Sequence, residues 1–226
     1  VGEEHDMPML VDRHLPTYDV SDVYTVTIDA TPETTWRAIR TANLWSDPLV
    51  RVLVNARLLP TRVLALIRRE EQPATPSAIR FGDIIETGED WVKLGEERDV
   101  ELVAGLVGRF WQRDFGFRRV EPDEFLSFSE PDYAKTVIDL SIRPYGSSRT
   151  LLLYETRTAT TSPEARAKFA RYWRLIRPFA GLMMKRALFA VKREAERHDA
   201  LHSSRPTVDV DLTLEEFERS RPSTPN

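Results

Sequence analysis

The sequence predicts an α+β fold in which a curved antiparallel sheet wraps around one long C-terminal helix, and three observations carry that expectation. From Ser162 to about His198 apolar residues recur at three- and four-residue steps, the mark of an amphipathic helix. Tyr133 to Arg143 and Arg149 to Thr160 alternate apolar and polar positions and are joined by a short Pro144-Tyr145-Gly146-Ser147-Ser148 link, the mark of a β-hairpin. The segments before them read as one strand, then short helices, then further strands, so the long helix follows a sheet that it can close.

In chain order, residues 1–17 form a polar, proline-containing arm without periodicity. Val20 to Asp29 alternates Val, Tyr, Thr and Ile in the manner of a strand. Thr31, Pro32 and Glu33 then start a short helix containing Trp36, Ala38 and Ile39. The stretch from Asp47 to Glu71 is more apolar than an ordinary surface helix pair, and Pro60 divides it. It is expected to be a helical hairpin, either fixed on the domain edge or lying as a lid or membrane-facing patch (residues 47–71). DIIET, WVKL and DVELVAGLVGRFW read as successive strands. The last sets Val100, Leu102, Ala104, Leu106 and Phe110 against Glu101 and Arg109, with Gly105 and Gly108 expected at bulges or a bend.

In the hairpin, pairing Asp139 with Leu153 puts Ala134, Thr136, Ile138, Leu140 and Ile142 with Tyr154 and Thr156 on an inward face. Lys135, Asp139, Glu155 and Arg157 fall on the other face. The long helix opens on Ser162 as N-cap with Pro163 behind it, and Phe169, Tyr172, Trp173, Ile176, Phe179, Ala180, Met183, Ala187 and Val191 form its stripe. Straight, it would run about 55 Å, and Pro178 with Gly181 is placed to bend it. The domain is therefore expected over 18–198, with a polar tail at 199–226 carrying one capping-box helix near Thr213.

Composition removes several function classes. A formal net charge of −4 argues against a dedicated nucleic-acid surface, although the C-terminal helix is locally basic. The absence of cysteine removes disulfides, thiolate nucleophiles and Cys-ligated metals, and fits a cytoplasmic setting. No apolar run is long enough for a transmembrane segment, and no signal-peptide pattern stands at the N-terminus. The four histidines, His5, His14, His198 and His202, all lie outside the expected sheet and stripe. That disfavours a His-based triad or zinc site, and no nucleotide-binding or zincin motif occurs.

VYTVTIDATPETTWRAI at the front and LLLYETRTATTSPEARAKFARYWRLIRP at the back, with ELVAGLVGRFW and PDYAK between, resemble the START-like or SRPBCC superfamily of helix-grip proteins, in a bacterial branch. The superfamily includes polyketide cyclases and lipid-transfer domains. The resemblance spans roughly Tyr18 to His198 and implies an elongated apolar cavity between sheet and long helix. It would be lined by Ile138, Tyr154 and Thr156 from the hairpin and by Trp173, Ile176, Ala180 and Met183 from the helix. The plainer alternative is that these residues fill a solid core.

The functional expectation is a protein that binds a small hydrophobic, acyl or polyketide-like molecule without a cofactor or metal. One alternative is a cyclase, dehydratase or aldol-type enzyme in which Glu155 or Tyr154 moves protons, and another is a partner-docking module. For Glu155 and Arg157 the register decides between a solvent-exposed ion ladder and a cavity site, because a one-residue slip exchanges the two faces. Oligomeric state is not encoded in any pattern of the sequence.

Overall fold

The computed structural model describes residues 9–52, 54–55, 78–87, 90–112 and 114–203. The elements run α1 (Leu10–His14), β1 (Val20–Ile28), α2 (Pro32–Thr41), a 3-10 turn (Leu44–Ser46), α3 (Phe81–Thr87), β2 (Val92–Glu97), β3 (Glu101–Gly108), α4 (Pro122–Phe125), β4 (Ala134–Tyr145), β5 (Arg149–Thr160) and α5 (Pro163–Ser203). Residues 48–52 and 54–55 are also helical. The five strands form one antiparallel sheet in the order β1-β5-β4-β3-β2.

Each face of the sheet has its own core. On the inner face Leu102, Ala104, Ile138, Leu140, Ile142 and Leu152 pack against α2 and against Ala187, Leu188, Val191 and Ala195 of the long helix. On the outer face Val103, Val107 and Val137 pack against Val11 and Leu15 of the arm and Phe125 of α4. Both sides of β3 are buried, which is why its sequence reads as a near-continuous apolar run.

Four local expectations are corrected. Residues 83–87 belong to a helix rather than a strand. Phe81 and Ile85, four residues apart, share its buried side, and five residues are too few to separate the two periodicities. The hairpin register is shifted by two, with Asp139 opposite Glu155 instead of Leu153. The strands continue to Tyr145 and Arg149, and only Gly146, with φ of 72°, takes a left-handed turn conformation there. Pro144 is tolerated because it lies beyond Ser141, the end of the pairing with β3. A shift of two preserves the faces, so the sidedness inferred from the alternation stands.

Gly105 pairs regularly with Val92 and Val137, and its role is close approach, since a Cβ there would lie 2.6 Å from the Phe125 ring. The irregularity sits instead in β2, between Lys93 and Gly95.

The fourth correction concerns the helical stripe. Ser162 Oγ accepts from Ala165 N at 3.2 Å, as an N-cap should, and the helix runs through Pro178 to Ser203, five residues beyond the expected end. Phe169, Ala187 and Val191 are buried, but Phe179 is 52 % exposed. At about 100° per residue Phe179 is turned away from Ile176 and Ala180, so a three-residue step took the stripe off the buried side. Gly181 lets the helix approach β1, because a Cβ there would collide with the Tyr24 hydroxyl.

Candidate functional site

Between the inner face and the C-terminal half of the long helix lies an apolar cavity of about 180 Å³. Its walls are Ile138 and Tyr154 from the sheet, Met183, Met184 and Ala187 from the long helix, and Leu44, Val50, Ile79, Phe81, Ile84 and Trp91 from the segments that cross the opening. Local hydrogen bonds fix that crossing side. Asn43 Oδ1 accepts from Trp45 N at 3.0 Å and Ile79 N at 3.2 Å, and Leu44 N donates to Ile79 O at 2.8 Å.

The buried Asp47 caps the turn that carries Val50. Its Oδ1 accepts from Leu49 N at 2.9 Å and Val50 N at 3.3 Å, while Arg186 and Arg193 of the long helix reach its Oδ2 at 3.6 and 3.9 Å. The start of the expected lid is thus tied to the helix it faces. Its remainder, residue 53 and residues 56–71, lies outside the described residues.

Of the residues expected to line a cavity, Ile138, Tyr154 and Met183 do so. Thr156, Trp173, Ile176 and Ala180 are half-buried farther towards the start of the long helix and do not line this space. There Trp173 stacks on Phe169 with ring centroids 5.6 Å apart, and the Tyr24 contact at Gly181 lies between that region and the cavity side of the helix. Periodicity weighs both halves of the stripe equally and does not reveal that helix residues 170–180 include none that is fully buried. Tyr154 meets Phe81 edge-on at 5.7 Å, and burial raises its phenol well above the usual range, so the hydroxyl stays protonated.

Glu155 is neither in this cavity nor on a solvent-exposed ladder. It lies on the outer face, 8 % exposed, beneath the N-terminal arm. Arg157 Nε donates to Glu155 Oε1 at 2.6 Å and Arg157 Nη1 to Asp12 Oδ1 at 2.7 Å, while Ser21 Oγ donates to Glu155 Oε1 at 3.0 Å. Tyr18 packs its ring 4.9 Å from the guanidinium. Glu101 caps α1 through both oxygens, accepting from Leu10 N at 2.9 Å and Val11 N at 3.0 Å.

Lys135 is not part of this group, because the register shift takes it to Ala159 and Val107, where its Nζ donates to Leu126 O at 2.8 Å. Burial disfavours the Arg157 charge, but the bonds to Glu155 and Asp12 outweigh that and hold it protonated. Burial also raises Asp139, wholly enclosed on the same face, to about 8; Glu101 and Glu155 push the same way, while the Ser141 hydroxyl and Arg157 oppose.

The arm closes the outer face, which local periodicity does not announce. Its signal is faint: Val11 and Leu15, four residues apart in a polar stretch, are the two of its described residues that are buried. Among the described residues no group of His, Asp and Glu is arranged to hold a metal ion.

The architecture is a helix-grip fold. No family model and no curated protein matches the chain. Among solved structures it is similar to protein MLL2253 from Mesorhizobium loti (16% identity, 80% of this chain and 99% of that one, TM-score 0.36). It is also similar to the Zhui aromatase/cyclase from Streptomyces sp. R1128 (15%, 79% and 94%, TM-score 0.29) and to CalU16 from Micromonospora echinospora (15%, 80% and 86%, TM-score 0.24). Identities and scores this low do not transfer the activity of any of the three.

Proposed function

We propose that the protein binds a small apolar molecule, or the apolar end of a longer one, between its long helix and the inner face of its sheet. The observation that carries the reading is the cavity of about 180 Å³, whose described lining has no carboxylate, histidine, lysine or arginine. An apolar cavity of about 150 Å³ takes up benzene, so this one suits a single ring or a short alkyl segment. A site lined this way favours binding over proton transfer. Tyr154, the one titratable group in the lining, is held in its protonated form by burial, and Glu155 lies on the opposite face of the sheet.

Ala180 is half-exposed and away from the cavity, so the residue that tests the reading is Ala187, 5 % exposed and in its wall. The wild type is expected to take up an apolar fluorescent probe, and Ala187→Phe to lower that affinity at least tenfold while unfolding within about 1 kcal/mol of wild type, because the ring fills space. In a solid core the same change would overpack, at a cost of about 1–3 kcal/mol. A wild type that binds no probe, together with a strongly destabilised Ala187→Phe, overturns the proposal.

A further inference from the structure

The long helix has a second organised side that faces away from the sheet. Between Ala165 and Arg193 it carries nine Lys and Arg residues and no Asp or Glu, which leaves 23 basic against 36 acidic residues in the rest of the chain. Lys168, Arg171, Leu175, Phe179, Leu182, Arg186, Phe189 and Arg193 follow one another at three- and four-residue steps, so they form a single stripe, about 38 Å long at 1.5 Å per residue. Leu175 is 71 % exposed, Phe179 52 % and Phe189 50 %. Cations stand at both ends of this apolar row and once within it.

We propose that this stripe docks the protein on an anionic lipid surface. A basic helix with exposed Leu and Phe lies in the plane of a bilayer interface, its apolar side chains at the headgroup–acyl boundary and its cations among the phosphates. Charge selects this occupant over a second copy of the chain, since two such faces brought together would oppose cation to cation. The aromatic and aliphatic side chains select it over a nucleic acid, whose phosphate backbone would leave Leu175, Phe179 and Phe189 in water.

The domain beneath compensates only part of the charge. Lys168 pairs with Asp132 at 2.6 Å, Arg177 with Asp22 at 2.8 Å, Lys192 with Glu196 at 2.8 Å and Arg166 with Asp19, and Arg186 and Arg193 share the single carboxylate of Asp47, whereas Arg171 and Arg174 have no carboxylate within 4 Å among the described residues. No helix among the described residues is long and apolar enough to cross a membrane, so the mode is surface binding.

The test is sedimentation of the full chain with vesicles of phosphatidylcholine alone or mixed with phosphatidylglycerol, at low and physiological salt. Binding is expected to the mixed vesicles and to weaken with salt. Each cation is worth about fivefold in partition, so Arg171→Glu with Arg174→Glu should lower it at least twentyfold. Leu175→Ser with Phe179→Ser should lower it at least tenfold. All four side chains are on the exposed side of the helix, so circular dichroism and thermal unfolding should stay at wild-type values. In a Phe179→Trp variant, a blue shift of the emission on adding mixed vesicles should report insertion.

Absence of binding to mixed vesicles, or equal binding to both compositions, overturns the proposal. So does a concentration-dependent dimer abolished by the Leu175/Phe179 change, and so does tight duplex-DNA binding that only the arginine changes weaken.

Discussion

Arg157→Met is expected to destabilise the protein by about 3–5 kcal/mol at pH 7, as the loss of one partner from a buried ionic group does. The guanidinium is the cation between the buried Glu155 and the exposed Asp12 on the outer face. It bonds Glu155 at 2.6 Å and Asp12 at 2.7 Å, and Nη1 also reaches Leu15 O at 3.4 Å. Methionine keeps most of the aliphatic volume, so the loss is electrostatic: Glu155 would remain enclosed with only the Ser21 hydroxyl. Docking of the arm depends on the same residue, because Asp12 and Leu15 are both its partners. Glu155→Gln should cost much less, since Arg157 keeps Asp12, and the double variant should recover much of the loss seen with Arg157→Met alone. Denaturant titrations of the three variants decide it. A loss below about 1 kcal/mol for Arg157→Met would mean that water already screens the group.

How much of this was legible in the sequence depends on the range of the interaction that decided it. The long helix, the hairpin and the two faces of β4 and β5 were readable because each rests on local periodicity, and the register error of two residues did no harm to sidedness. The cavity was half legible. Ile138, Tyr154 and Met183 stand on the right faces, but Leu44, Ile79, Phe81 and Ile84 reach it from a crossing segment whose strand-like DIIET stretch proved helical. Of the outer-face cluster only the Glu155–Arg157 pairing on one strand face was legible; its burial was not. Asp139 and Glu155 alternate with apolar residues as solvent-facing positions do, and what buries them is an arm more than 120 residues earlier in the chain, held by contacts such as Leu10 N to Glu101. No local pattern encodes a contact of that separation. The faint trace was Val11 and Leu15 at helical spacing in a polar stretch.

The same burial gives the second large effect, a stability difference between wild type and Asp139→Asn that grows as pH rises from about 4 to about 8. Asp139 is fully enclosed, neither carboxylate oxygen finds a hydrogen-bond partner of good geometry, and its carboxyl is raised from the ordinary 3.8 to about 8 by burial and by Glu101 and Glu155. Between those two values the native chain holds one proton more than the unfolded chain. Stability therefore falls with rising pH through that window, at about 1.4 kcal/mol per pH unit, and the loss is complete above about 8.

Asparagine has nearly the same shape, stays neutral throughout, and adds amide hydrogens to a site whose nearest charges include two carboxylates. Asp139→Asn should match wild type within about 1 kcal/mol near pH 4 and exceed it by several kcal/mol, on the order of 4, at pH 8. Taking the difference between the two proteins removes the contribution of groups common to both, His14 among them, whose burial lowers its pKa. Thermal or denaturant unfolding at intervals from pH 4 to pH 9 measures it. A difference that is flat across that range would show that Asp139 is ionised in the native state, its charge met by Arg157 at the centre of the cluster.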